Sequence, residues 1–557
     1  MHNFVRAALL LSLVACDCES SAPADAAADV IDVGPRLDQG PGSDAASGGE
    51  TECADGLDND GDGRVDCGDF DCRGTEACPF SDEGCVVRGE LDGTLPCEER
   101  AAPGSFSPSL QWSWDGPRDD PQSVGVIPLV ANFTDDDGNG TIDLCDTPDV
   151  VIVVYHQTFG ARRAGEAGEI VVLDGATGTE HFRFGGVDAS VTPAIGDIDN
   201  DGRVEIVSVN EEGRFVAFEH DGTLKWTGPG PWEQFNSEAP LRGSLAIADV
   251  DNDGDAEVLG GNMLVDHEGN ELWTAPEVAS RFPVPTMADL DGDGDLEIVL
   301  GNAAYQHDGT EYFVADGVPP GLPSIANLDD DPEPEILLAT REGVYMLEHD
   351  GAVAYGPVTP TGSPAERLNW IRPIAVHDFD GDGEAEFAMS SAGQYSAFEG
   401  DATVTWSAPV EDVTGIAGGT AFDFLGDGTA EAMYADEVAS YIFGASGEVL
   451  LQTARTSDTF IEYPVVADVD NDGSAEIIVV SDLVGSSRNT PAVQVIGDAE
   501  NRWIQARRIW NQHTYHVTNV REDGTIPAAE QPNWRTLNTF RTNAQISGGL
   551  VCEPPLI

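Results

Sequence analysis

The sequence predicts an all-β protein whose main body is a β-propeller, and three observations carry that prediction. An acid-rich nonapeptide recurs in eight copies along the chain. Each copy runs into a short, β-branched segment that reads as a strand, such as Ile206-Val207-Ser208-Val209, Ile298-Val299-Leu300 or Ile477-Ile478-Val479-Val480. The first residues of successive copies are 62, 52, 40, 38, 51, 45 and 45 residues apart, the size of a four-stranded blade with variable loops. A lone four-stranded sheet cannot bury both faces, whereas radial stacking buries them and protects the edges. Eight copies predict eight blades over residues 106–510, with seven as the alternative.

Ahead of the propeller the chain changes character. In residues 1–16, His2 and Arg6 form a short basic region, and Ala7 to Ala15 is apolar but too short to span a bilayer. Leu13-Val14-Ala15-Cys16 resembles a bacterial lipobox. That resemblance implies an exported lipoprotein, lipidated at Cys16 after cleavage, at the outer membrane or cell surface. An ordinary secretory signal is the alternative. Asp17 leaves the periplasmic face of the inner membrane open as a destination. No later run of 18 apolar residues follows, so the lipid is the only membrane attachment expected. Residues 17–50, rich in Ala, Asp, Gly, Pro and Ser, read as a flexible acidic tether.

Residues 51–100 are too few to enclose an apolar core and hold six cysteines between Cys53 and Cys97. The stretch from Cys53 to Cys67 resembles the calcium module of thrombospondin type 3 repeats, and Asp58, Asp60, Asp62 and Asp66 match its metal positions. Disulfides are expected here, with fifteen pairings open and zinc as the rival use of the thiols. Cys145 and Cys552 remain as a candidate pair.

Within the propeller each blade repeats one grammar. Pro193-Ala194-Ile195-Gly196 enters the nonapeptide, a second strand leaves it, and a third ends in a turn such as Phe218-Glu219-His220-Asp221-Gly222. Similar turns occur at Asp174-Gly175, Asp308-Gly309 and Asp350-Gly351. The fourth strand often ends in tryptophan (Trp226, Trp273, Trp406), which reads as packing between blades. Gln111-Trp112-Ser113-Trp114 looks like a fourth strand that completes the last blade and closes the ring.

Five nonapeptides are intact, with acids at positions one, three, five and nine and glycine at six. They are Asp197, Asp199, Asp201, Glu205; Asp249, Asp251, Asp253, Glu257; Asp289, Asp291, Asp293, Glu297; Asp378, Asp380, Asp382, Glu386; and Asp468, Asp470, Asp472, Glu476. Calcium takes six to eight oxygens, which a tight turn with alternating acids can supply. Glycine lets the backbone turn sharply so that the position-seven carbonyl, Arg203 in the first intact copy, can face the ion. Magnesium keeps its waters and fits such a cage less well, and zinc would bring Cys or His. An EF-hand is excluded because its last acid falls at position twelve between helices. Three copies are degraded. The first offers Asp135, Asp137, Asn139 and Asp143 before an insertion that reaches Asp149. The fifth starts at Asn327 with Pro332 in place of glycine, and the seventh has Leu425 at position three, so both are expected to keep the turn and weaken the site.

These loops and strands resemble the FG-GAP or VCBS repeat family, which includes the calcium-bearing, seven-bladed propellers of integrin α subunits. The resemblance rests on the loops, since the Phe-Gly and Gly-Ala-Pro signatures are poorly kept. It implies that positions one, three, five and nine supply the Ca²⁺ ligands in each intact copy. At millimolar calcium a site of extracellular strength adds about 0.4–1.4 kcal/mol, so five independent sites add roughly 2–7 kcal/mol. That is comparable with a domain's net stability, and calcium is expected to be structural.

The net charge is −75 and the pI near 4.1. Nucleic acid and anionic membrane surfaces carry the same sign and are excluded as partners. Nine filled loops would bring the charge to roughly −57. The expected partner is a cell-surface or matrix protein or a glycan, bound in an adhesive role. No catalytic residue stands out. His513 and His516 lie in a segment, residues 511–557, that reads as a cap packed on the propeller. There is no Gly-x-Ser-x-Gly elbow, phosphate loop or His-Glu-x-x-His motif. Two enzyme alternatives stay open. Polysaccharide lyases include calcium-rich eight-bladed propellers. The turns Leu173 to Gly178 and Asp221 to Trp226 resemble the docking motif of PQQ-dependent propellers, although the adjacent cysteine pair of those enzymes is missing.

Overall fold

A computed structural model describes residues 106–551 except 118–121, 157–164, 231–242, 277–282, 330, 360–371, 392, 413–415, 460, 483–489, 536 and 548–549. The signal with Cys16, the tether, and the segment holding Asp58, Asp60, Asp62 and Asp66 lie outside the described residues, as does Cys552.

The chain is all-β and forms eight blades of four antiparallel strands, to which Val191–Thr192 adds a short parallel strand in blade 3. In blade 2 the strands run in order Ala194–Gly196, Glu205–Val209, Phe215–Phe218 and Leu224–Thr227. Blades 3 to 7 start at Gly243, Thr286, Gly321, Ala375 and Gly419. First strands of neighbouring blades meet around the axis. Burial follows from that placement. The second strands, such as Glu476–Val480, are buried throughout, whereas the fourth strands of blades 2 to 4 hold only exposed and half-buried residues.

Pro108–Trp114 pairs antiparallel with Val493–Asp498 and supplies the fourth strand of blade 8. The closing role expected for Gln111 to Trp114 is therefore observed, and the blade count is eight rather than seven. Fourth-strand tryptophans lie on the turn of the next blade. Trp226 Nε1 donates to His267 O at 2.8 Å and Trp273 Nε1 to His307 O at 2.9 Å. Trp112 of blade 8 reaches Gly175 O of blade 1 at 2.6 Å, completing the circuit. The turn glycine must be bare: a Cβ on Gly178 would stand 2.4 Å from the Trp112 ring, and one on Gly269 would stand 2.6 Å from Trp226.

Every fourth strand carries a one-residue β-bulge at the same place, occupied in blades 1 to 8 by His181, Lys225, Leu272, Tyr312, Ala354, Thr405, Leu450 and Gln111. A bulge re-aims its side chain relative to the regular pleat.

Residues 503–545 run across the centre of the ring. Trp510 exchanges backbone hydrogen bonds with Val130 of blade 1, Asn511 O accepts from Ile195 of blade 2, and Gln512 Oε1 accepts from Ile247 of blade 3. Thr514 donates to Pro285 O before blade 4, Arg541 to Ser324 Oγ of blade 5, and Asn543 to Val466 O of blade 8. Phe540 pairs with Val376 of blade 6, and Ile504 donates to Phe424 O of blade 7. Trp510, Tyr515 and Arg541 are fully buried there.

Candidate metal centres

In blades 2 to 8 the acidic nonapeptide joins the first and second strands, and its ninth residue opens the second strand. Two sets of hydrogen bonds shape the loop. The glycine at position six has a positive φ, 85° at Gly202 and 95° at Gly254, and its N–H donates to the position-one aspartate. The position-two amide donates to the ninth residue: Ile198 to Glu205 at 3.0 Å, Leu290 to Glu297 at 2.7 Å, Phe379 to Glu386 at 2.7 Å and Val469 to Glu476 at 3.0 Å.

One carboxylate oxygen is thereby occupied and the other is left over. The second oxygens of Glu297, Glu335 and Glu386, and Oδ1 of Asp468, are buried and accept no hydrogen bond. A buried ionised oxygen without a donor is costly, so these atoms fit a cation. Burial, then neighbouring acids, pushes Glu257, Glu297, Glu335 and Glu386 up to about 8. Burial raises Asp249 to about 6 and Asp468 to about 7, and Glu476 is pushed well above the usual range for the same reason.

Asp378, Asp380, Asp382 and Glu386 bring ligand atoms within 4.8 Å of one another, as do Asp197, Asp199 and Glu205, and Asp249, Asp251 and Glu257. The position-five residues Asp201 and Asp253 accept the amides of Arg203 and Asp255 at 2.9 Å. Acids of blades 4 and 8 repel within their own loops, Asp289 and Asp291 acting on Glu297, and Asp468, Asp470 and Asp472 on Glu476. In blade 7, Leu425 interrupts the set, yet the turn survives through the Gly428 amide on Asp423 at 2.7 Å. In blade 5, where Pro332 cannot donate, the Asn327 side chain closes the turn onto Asp331 O at 2.8 Å.

Blade 1 differs from the sequence expectation in its internal geometry. Asp149, not Asp143, opens the second strand and accepts the Phe133 amide at 2.9 Å. Asp146 joins Asp135 and Asp137 as a ligand-bearing group, while Asp143 accepts Asn139 Nδ2 at 3.5 Å. Asp146 evades a reading by spacing because it lies inside the insertion.

Blade 2 holds a cation of its own. Lys225, the only lysine, places Nζ 2.5 Å from Asp199, 3.1 Å from Glu219 and 3.4 Å from the second oxygen of Glu205. Gln111 makes the equivalent contact to Glu476 in blade 8 at 3.3 Å.

His513 and His516 are not near these loops' acids. His513 is buried in the axial segment, with Nε2 2.9 Å from Ile461 O, and burial lowers it to about 3. His516 pairs with Glu530 at 2.5 Å. Both serve packing.

No curated protein matches the chain. Among solved structures it is similar to the Vibrio cholerae biofilm matrix protein Bap1, with 21% identity and TM-score 0.68, covering 80% of this chain and 100% of that one. It is also similar to Bacillus licheniformis rhamnogalacturonan lyase PL11, with 15% identity and TM-score 0.52, covering 78% and 82%. Rhamnogalacturonan lyase YesW shares 14% identity and TM-score 0.50, covering 81% and 82%. Residues 197–260, from the loop of blade 2 through the second strand of blade 3, match the model of the FG-GAP-like repeat family.

Proposed function

We propose that this chain is an exported, lipid-anchored bacterial surface protein in which a calcium-stabilised propeller presents a binding face for adhesion. The observation that carries the reading is the repeated loop whose buried carboxylate oxygens lack a donor. Calcium there would be held by the position-one, -three, -five and -nine residues of the intact copies and would clamp the first two strands of a blade. Acids committed to a cation are poor general bases, which favours binding over turnover. The fold shared with a biofilm matrix protein supports an adhesive role beside other cells or matrix. The partner we propose is a surface or matrix protein or a glycan, with membrane contact through lipidated Cys16 alone and no nucleic acid.

The rhamnogalacturonan lyases of the same fold make a uronate-cleaving enzyme the second reading. A glycan array on the purified protein, with calcium and with EDTA, separates the two. Calcium-dependent retention of a glycan without shortening supports adhesion. A blank array together with cleavage of a uronate polymer overturns it.

A further inference from the structure

Blade 1 carries a second acidic group, which shares Asp136 with its nonapeptide. Its fourth-strand bulge residue is His181, in the place that Lys225 takes in blade 2. His181 Nε2 lies 3.3 Å from Asp149 Oδ1 and 3.6 Å from Asp174 Oδ2. Ligand atoms of Asp136, Asp174 and His181 fall within 4.8 Å of one another.

The independent observation concerns Asp149. It is fully buried, and its Oδ1, the atom facing the imidazole, receives no hydrogen bond. Its other oxygen is occupied by the Phe133 amide at 2.9 Å. The neighbours are fixed in the same sense. Thr177 N and Oγ1 hold Asp174 Oδ1 at 2.7 and 2.6 Å, which leaves Oδ2 toward the ring, and Thr134 Oγ1 holds Asp136 at 3.0 Å. A first-row divalent ion binds N and O donors at about 2.0–2.2 Å, so the ligand atoms of a tetrahedral site stand about 3.4 Å apart. The separations from His181 bracket that edge. Imidazole suits zinc and its neighbours, whereas calcium takes oxygen alone.

We propose that Asp136, Asp149, Asp174 and His181 form a site for a first-row divalent metal ion such as Zn²⁺, separate in chemistry from the calcium loops. The four residues come from the loop, the start of the second strand, the end of the third and the bulge of the fourth. The ion pins all outer elements of blade 1 at one point, and His181 is one-quarter exposed, so the site is reachable from solvent.

The test is a Co²⁺ titration of the full chain in excess Ca²⁺, read by visible ligand-field absorption and by bound metal after desalting. About one cobalt per chain with a tetrahedral spectrum is expected. His181→Gln should lose it while retaining the calcium-dependent melt, and Asp149→Asn should lose it too. His181→Lys keeps a fixed positive charge at the bulge, and should fold and also lose cobalt. Absence of cobalt uptake in the natural protein, or equal uptake and spectrum in His181→Gln, overturns the proposal. So does a natural protein that takes up none while His181→Lys melts as high or higher, which makes His181 a plain counter-charge.

Discussion

Lys225 shows how one side chain alters a repeated site. Its ammonium neutralises Asp199 and Glu205 where other blades leave a buried oxygen bare. Lys225→Met should cost about 1–3 kcal/mol in EDTA, because two partly buried carboxylates lose their counter-charge. The loss should shrink when calcium is added, and calorimetry under both conditions measures it. The strand-start glutamates set a pH dependence. Each titrates near 4.5 when unfolded and near 8 in the calcium-free fold, so the fold holds the proton more tightly. Their contribution is fully present below about pH 4.5 and is lost as pH rises to about 8. The melting temperature of EDTA-treated protein should fall across that window, and calcium binding should release protons in it. A flat profile would mean these acids are not buried in solution.

The strand and its loop were readable from sequence because they repeat with a fixed grammar. Glycine at six and an acid at nine predicted the turn and strand start, and Trp226 and Trp273 predicted the contact between blades. The bulge was not readable. Leu272, Tyr312, Ala354 and Lys225 share no chemistry, and their common position appears only when strands are paired. Asp149 was visible at the end of the insertion, but the broken spacing left its place at the strand start unassigned, and Asp146 was hidden by lying within the insertion. The turn beneath each tryptophan has its own test. Gly269→Val places a branched side chain at φ 80° against the Trp226 ring. It should destabilise by several kcal/mol, since ring and turn cannot both keep their positions. A denaturant midpoint unchanged from the natural protein would refute the packing.

Taken together, eight blades, many acidic loops and one axial segment form a single ring. Chelation should lower the melting temperature by many degrees, as five calcium-filled loops of extracellular strength would supply about 2–7 kcal/mol. An unchanged melt in EDTA would remove calcium from the account of stability. Deleting residues 108–114 leaves blade 8 with three strands and Gly175 without Trp112. The variant should lose its cooperative transition, which calorimetry reports, whereas removal of the residues ahead of 106 should leave it intact.

The first and last parts of the described residues meet in the closed ring: Pro108–Trp114 finishes the last blade, and residues 503–545 bond every blade from the centre. A chain emerging from its N-terminus must therefore hold an unpaired strand until nearly four hundred residues have followed. Blades can form one after another, but the native ring waits for release of the whole polypeptide. Such delay fits the export proposed above, in which the ring would close only after the chain is released.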